Sequence, residues 1–138
     1  MATNKDPIFF NSVISKSVEF DNAASTTAED IFSASTDGGA VTNLSATTTD
    51  SADVTVVLRM NDGVTVNVLG EVKVPAGSGT NGTASSVNLL DADALPGVLQ
   101  NDGSLIVGAN SILTVAPKAA VTAATVLSVT CTGGSYSV

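Results

Sequence analysis

The chain reads as an all-β protein, an antiparallel β-sandwich of about eight strands. Three observations predict this. Apolar residues recur at every second position in short runs, and no segment holds a 3.6-residue period over three turns. The runs are separated by Gly, Asp and Asn clusters of the kind that close turns. Val and Thr, which fit a pleated surface, are abundant: Ser, Thr, Ala, Val and Gly together fill 82 of 138 positions. Jelly-roll-like and immunoglobulin-like strand orders both accommodate such a pattern.

The elements follow in order. Residues 13–20 alternate weakly and predict an edge strand or an extended arm, so the chain divides into an N-terminal arm or edge strand, 1–20, and a sandwich domain, 21–138. Residues 28–34 are a weaker strand candidate, and Asp37-Gly38-Gly39 is a turn before a strand over 41–47. Val54, Val56, Leu58 and Met60 share one face of a half-buried strand, with Thr55 and Arg59 on the other. Asn61-Asp62-Gly63 is the strongest hairpin signal. The returning strand alternates through Val64, Val66 and Val68, is interrupted at Gly70 as by a bulge, and resumes at Val72 and Val74 before Pro75. Residues 76–83 form a loop without an apolar anchor, expected to be the most exposed and mobile stretch. Residues 85–90 predict a strand, and Asp91 to Leu95 one short helical turn with an Asp cap, broken by Pro96-Gly97. Short strands are expected over 104–108 and 111–116. A long last strand is expected over 121–132, with Leu127, Val129 and Cys131 on one side and Val126, Ser128 and Thr130 on the other.

The composition excludes several functions. There is no His, no Trp and one Cys, so a His-based triad, a His or multi-Cys zinc site and an internal disulfide framework are ruled out. A net charge of −8 argues against nucleic-acid binding, which needs a basic footprint. No apolar run reaches the ~18 residues of a membrane span, and Ile8-Phe9-Phe10 is too short for a signal-peptide core. Charged residues are 13% of the chain, about half the usual share. The polar surface must therefore be built from Ser, Thr, Asn and Gly.

Few residues are candidates for chemistry. Cys131 lies on the apolar face of its strand and reads as a small buried hydrophobe. Asp91 and Asp93 with Asp102, or Asp50 with Asp53, supply oxygens of the type calcium takes. No EF-hand-like loop surrounds them, and they read as caps and solvated loop residues. No catalytic, cofactor-binding or metal-binding residue is assigned. The aromatic residues are unevenly placed: Phe9, Phe10, Phe20 and Phe32 lie near the N-terminus and Tyr136 near the C-terminus. Pro7 disfavours helix before the triplet Ile8-Phe9-Phe10, and adjacent strand residues point to opposite faces, so one sheet face cannot bury both rings. Phe9, Phe10, Phe20 and Tyr136 are therefore the expected interface residues, with the two termini packing together or docking on a partner and the N-terminal arm seated on a neighbouring subunit or the capsid; the alternative is that the rings form one edge of an ordinary core.

The turn-punctuated Val/Thr strands, the loop VPAGSGTNG at 74–82, the segment from Leu95 to Leu105 (LPGVL…DGSL) and the closing Val/Thr strand resemble capsid decoration, or cement, proteins of tailed bacteriophages and related virion β-sandwich proteins. The resemblance covers the chain from about residue 31 onward and carries no catalytic or ligand residue. It implies a bacteriophage virion structural protein, not an enzyme, without cofactor, made in the host cytoplasm. It would assemble as a homo-oligomer, dimer or trimer, on the capsid exterior, where it would bind the major capsid protein and neither nucleic acid nor membrane. A phage fibre or receptor-binding module at the tail, or a non-viral β-sandwich binding domain, are the alternatives. A sugar-binding module is disfavoured by the lack of Trp and the single Tyr.

Overall fold

A computed structural model describes residues 10–136. They form nine strands: β1 (Phe10–Phe20), β2 (Glu29–Ser33), β3 (Gly39–Thr48), β4 (Val54–Asn61), β5 (Val66–Val74), β6 (Val87–Asn88), β7 (Leu105–Val107), β8 (Ile112–Pro117) and β9 (Leu127–Tyr136). One sheet has the order β1-β9-β3-β6, with β7 also on β3, and the other has the order β2-β8-β4-β5. Every pairing is antiparallel. Of the described residues 52% are strand and 2% helical, and the two sheets pack face to face. No helix among the described residues is long and apolar enough to cross a membrane.

The pairing is nested. The first strand pairs with the last, β2 with β8, β3 with β6 and β7, and β4 with β5. This long double ribbon then wraps so that β9 meets β3 and β8 meets β4. With β6 and β7 counted as one interrupted strand, that is jelly-roll order, and it decides between the two orders the sequence allows.

The core lies between the sheets. Phe20, Val41, Leu44, Leu127, Val129 and Cys131 face inward from one, and Ile31, Phe32, Val56, Leu58, Leu113 and Val115 from the other. Leu89, Leu95 and Val121 close it from the connecting segments.

Bulges adapt the period-two pattern to this core. In β5, Leu58 faces Gly70 but Arg59 faces Val68, so Leu69 is the extra residue. The parity of the strand reverses there: Val72 and Val74 are buried, whereas Val66 and Val68 are more than half exposed. In β2, Asp30 faces Thr114 and Phe32 faces Leu113, which makes Ile31 the extra residue and lets two consecutive apolar side chains enter the core. Thr42 is the extra residue of β3, and its hydroxyl donates to the Thr132 carbonyl at 3.0 Å.

Several expectations are corrected. The last strand begins at Leu127 and not at 121, because the Thr122 backbone and hydroxyl bond to Asp50 and Ala124 takes φ +65°. The strand expected over 85–90 shrinks to β6. The expected helical turn closes one bond, Leu95 N–H to the Asp91 carbonyl at 2.8 Å, and cannot propagate because Pro96 has no N–H to donate. The helical element is a 3-10 turn at Asn22–Ala24, capped by Asp21, whose side chain accepts from the Ala24 N–H at 2.8 Å. The Asn61-Asp62-Gly63 signal closes the β4–β5 hairpin. Its loop spans residues 62–65, held by the Asp62 side chain accepting from the N–H groups of Val64 and Thr65.

Candidate functional site

The aromatic residues divide between two places. β1 pairs with β9 along its length, so residues 10–20 form an edge strand of the first sheet. At the end of this ladder, two glycines make room. A Cβ on Gly133 would strike the Ala40 carbonyl oxygen, and one on Gly134 would strike the Phe10 ring. The Phe10 ring therefore lies over Gly134, 5.3 Å from the Tyr136 ring at an interplanar angle of 34°. Tyr136 is itself held by its N–H to the Gly38 carbonyl at 2.9 Å and by the Ser35 hydroxyl donating to its carbonyl at 3.0 Å. The structure thus brings Phe10 and Tyr136 together, both half-buried, within one chain. Phe20 is a correction: it is fully buried opposite Leu127 in the chain's own core and offers no surface to a partner. Phe9 lies outside the described residues.

The carboxylates work as staples. Asp50 is only 3% exposed, and its carboxylate accepts from the Ala52 N–H at 2.9 Å, the Thr122 N–H at 2.9 Å and the Thr122 hydroxyl at 2.8 Å. Its carbonyl accepts from the Gly77 N–H, so three loops meet on one residue. The Thr122 N–H bond, then that of Ala52, holds its carboxyl below the usual aspartate range. Asp53 points elsewhere, to Lys73 at 2.9 Å and the Ala76 N–H at 3.0 Å. The bond from the Lys73 ammonium lowers its carboxyl as well. Asp91 accepts from the Asp93 N–H, and Asp102 from the N–H and hydroxyl of Ser104. Among the described residues no three Asp, Glu, Cys or His side chains converge as metal ligands. Thr122, the partner that fixes Asp50, was not singled out from the sequence. Nothing in a run of Ala and Thr marks one hydroxyl as the one that meets a carboxylate 72 positions away.

Cys131 is fully buried, and burial pushes its thiol up to about 11. Such a thiol is inert at neutral pH. The loop after β5 is tied more closely than its composition suggests. Ser78 is fully buried, its hydroxyl donates to the Pro75 carbonyl at 2.6 Å, and the Thr80 hydroxyl donates to the Thr48 carbonyl at 2.6 Å. An open depression of about 530 Å³ beside it is lined by Thr49, Asp50, Ser51, Ala76 and Gly77 among others. The Asp50 carboxylate accepts from Ala52 and Thr122 instead of standing free for a ligand.

The outer face of the first sheet is rich in hydroxyls, whereas that of the second also carries Asp30, Arg59, Glu71 and Lys73. On the first, Ser15, Thr132 and Asn43 form one cross-strand row, and Ser17, Thr130 and Ser45 the next, with Ser17 and Thr130 hydroxyls 2.9 Å apart. Glu19, Ser128 and Thr47 form the third row and bring the face its one carboxylate. On the second sheet, Val66 and Val68 are 55% and 57% exposed along the free edge, and Val64, in the hairpin loop, is 90% exposed. The alternation of these valines was legible in the sequence; that Val66 and Val68 face solvent followed from the bulge at Leu69. The chain matches no protein-family model and no curated protein.

Proposed function

We propose that this chain is a non-enzymatic virion structural protein of a tailed bacteriophage. In this reading it decorates the outer capsid surface as a homo-oligomer and cements neighbouring major capsid subunits. The observation that carries the reading is the chemistry of the outer faces: hydroxyl rows on one sheet and exposed valines on the edge of the other. Charges are the costliest groups to strip of water, and interface cores are depleted in them. The hydroxyl rows of the first sheet's outer face, with Glu19 as its one carboxylate, suit burial against other subunits. The jelly-roll order is compatible, since viral capsid domains use it, although lectin domains do too, so the fold lends support by analogy only. The half-buried Phe10–Tyr136 pair at the sheet's end adds a small aromatic contact surface beside the N-terminal residues.

Immunogold electron microscopy tests this, with antibody to the purified chain applied to phage particles from the source. Label distributed over the capsid shell is the expected outcome. Label confined to the tail would move the assignment to a fibre or receptor-binding module, and particles without label would overturn it.

A further inference from the structure

We infer that the outer face of the β2-β8-β4-β5 sheet is a homotypic contact, at which a second copy of this chain lies face to face so that Arg59 of each copy meets Asp30 of the other. One cross-strand row carries the argument. Asp30, Thr114, Arg59 and Val68 stand side by side across all four strands, each directly opposite the next. Among the described residues, neither Arg59 nor Asp30 has an ion-pair or side-chain hydrogen-bond partner, and the Thr114 hydroxyl between them is buried with none. The nearby lysines are already engaged, Lys73 with Asp53 at 2.9 Å and Lys118 with Glu71 at 3.0 Å. Arg59 is half-buried and keeps its charge at every working pH, so it gains from a carboxylate supplied from outside the chain.

The row itself selects a second copy as the occupant. It holds a donor without an acceptor and an acceptor without a donor, so a partner must bring an acid for Arg59 and a base for Asp30. A half-turn about an axis along the strands, between β8 and β4, lays the same row over itself in reverse. Arg59 then lies over Thr114 of the second copy, one strand from its Asp30. Stacked sheets sit about 10 Å apart and neighbouring strands about 4.8 Å, a gap that two facing side chains, one of them the long arginine, bridge. The rows on either side fit the same axis. In one, Ile112 falls over Asn61 of the second copy and Ser33 over its Val66. In the other, Ala116 falls over its Val57. Val66 and Val68, more than half exposed in the single chain, are covered by β2 of the second copy. Glu71 and Lys73 keep their own partners and do not compete for the row. This contact rests on and deepens the homo-oligomer part of the capsid reading, and it leaves the hydroxyl face of the first sheet free. It is read in solution without capsids, so its failure and the failure of capsid labelling are separate results.

The experiment is sedimentation equilibrium of the full chain at physiological ionic strength, where charge is screened over about 8 Å and the net −8 of each copy is damped. Wild type is expected to show a monomer–dimer equilibrium at micromolar concentration. Arg59→Asp sets carboxylate against carboxylate across the contact, and Asp30→Lys sets cation against cation. Each alone is expected to raise the dissociation constant by about tenfold or more. An equimolar mixture of the two variants is expected to form a heterodimer, because each chain brings the charge that the other lacks. Asp30→Lys with Arg59→Asp in one chain is expected to dimerise like wild type for the same reason. Circular dichroism checks that each variant keeps its strands; where a reversal unfolds the chain, Arg59→Gln and Asp30→Asn replace it and are expected to weaken the dimer. A wild type that remains monomeric at about 100 µM overturns the inference. So does a folded single variant that dimerises like wild type, or a mixture of the two reversed variants no more associated than its components.

Discussion

Thr114 shows how one hydroxyl can be misplaced in an otherwise satisfied interior. It sits on the outer face of β8 between Asp30 and Arg59, is 7% exposed, and its Oγ1 is buried without a hydrogen-bond partner. An unpaired hydroxyl in that position costs free energy that a methyl group would not. Thr114→Val, nearly isosteric and at least as favourable in a strand, is expected to stabilise the fold by about 1 kcal/mol in urea denaturation. Asp50 is the opposite case, a buried carboxylate with all its work assigned. Its carboxyl, with those of Asp53, Asp62 and Asp102, is held low by hydrogen bonds made in the fold. A folded pKa below the unfolded value contributes stability that is present above about pH 3.9 and is lost as pH falls through the folded values. The melting temperature is therefore expected to fall on acidification below about pH 4. In Asp50→Asn the amide nitrogen cannot accept from the Thr122 N–H, so this variant is expected to melt lower at neutral pH and to decline less steeply in acid.

At the scale of the element, the bulge decides what a strand presents to solvent. Strict alternation from Val66 to Val74 would place Val66, Val68, Val72 and Val74 on one face. With Leu69 inserted, the first pair is exposed and the second buried. The same chemical change should thus have unequal effects along one strand. Val72→Ala is expected to cost about 2 kcal/mol in denaturant unfolding, by lost burial and a cavity. Val68→Ala, on the other side of the bulge, is expected to stay within about 0.5 kcal/mol of wild type. Similar costs at both positions would mean that the strand runs without the bulge. The Glu71–Lys118 pair at 3.0 Å is exposed and adds little to this balance.

The whole molecule is governed by its nested pairing. β1 waits for β9, more than a hundred residues later in the chain, before it has a partner. Loop closure on that scale precedes the contacts that reward it, so refolding is expected in the millisecond-to-second range of β-sandwich proteins by stopped-flow fluorescence of Tyr136. The ladder of β1 ends with the Phe10 ring against Gly134 and Tyr136. Phe9→Ala with Phe10→Ala is expected to weaken association in light scattering more than it lowers the melting temperature. A large loss of melting temperature with unchanged association would assign both rings to the monomer alone.

Strand periodicity and turn residues were local properties, and the sequence by itself determined the antiparallel β class, most strand positions, the hairpin at Asn61-Asp62-Gly63 and the buried face of Cys131. These follow from side-chain alternation and backbone preference within a few residues. Strand order was invisible there, because β1 carries no mark that it pairs with β9 and not with β2. The β9 register and the glycine seats beneath it made that choice. The candidate site was legible only in part. The aromatic residues were conspicuous, but burial of Phe20 and the contact of Phe10 with Tyr136 depend on which strands become neighbours. The exposed valines of β5 lay outside local reading altogether. One extra residue reverses the parity of a strand, and whether Leu69 is extra depends on its pairing with β4, which the tertiary structure alone decides.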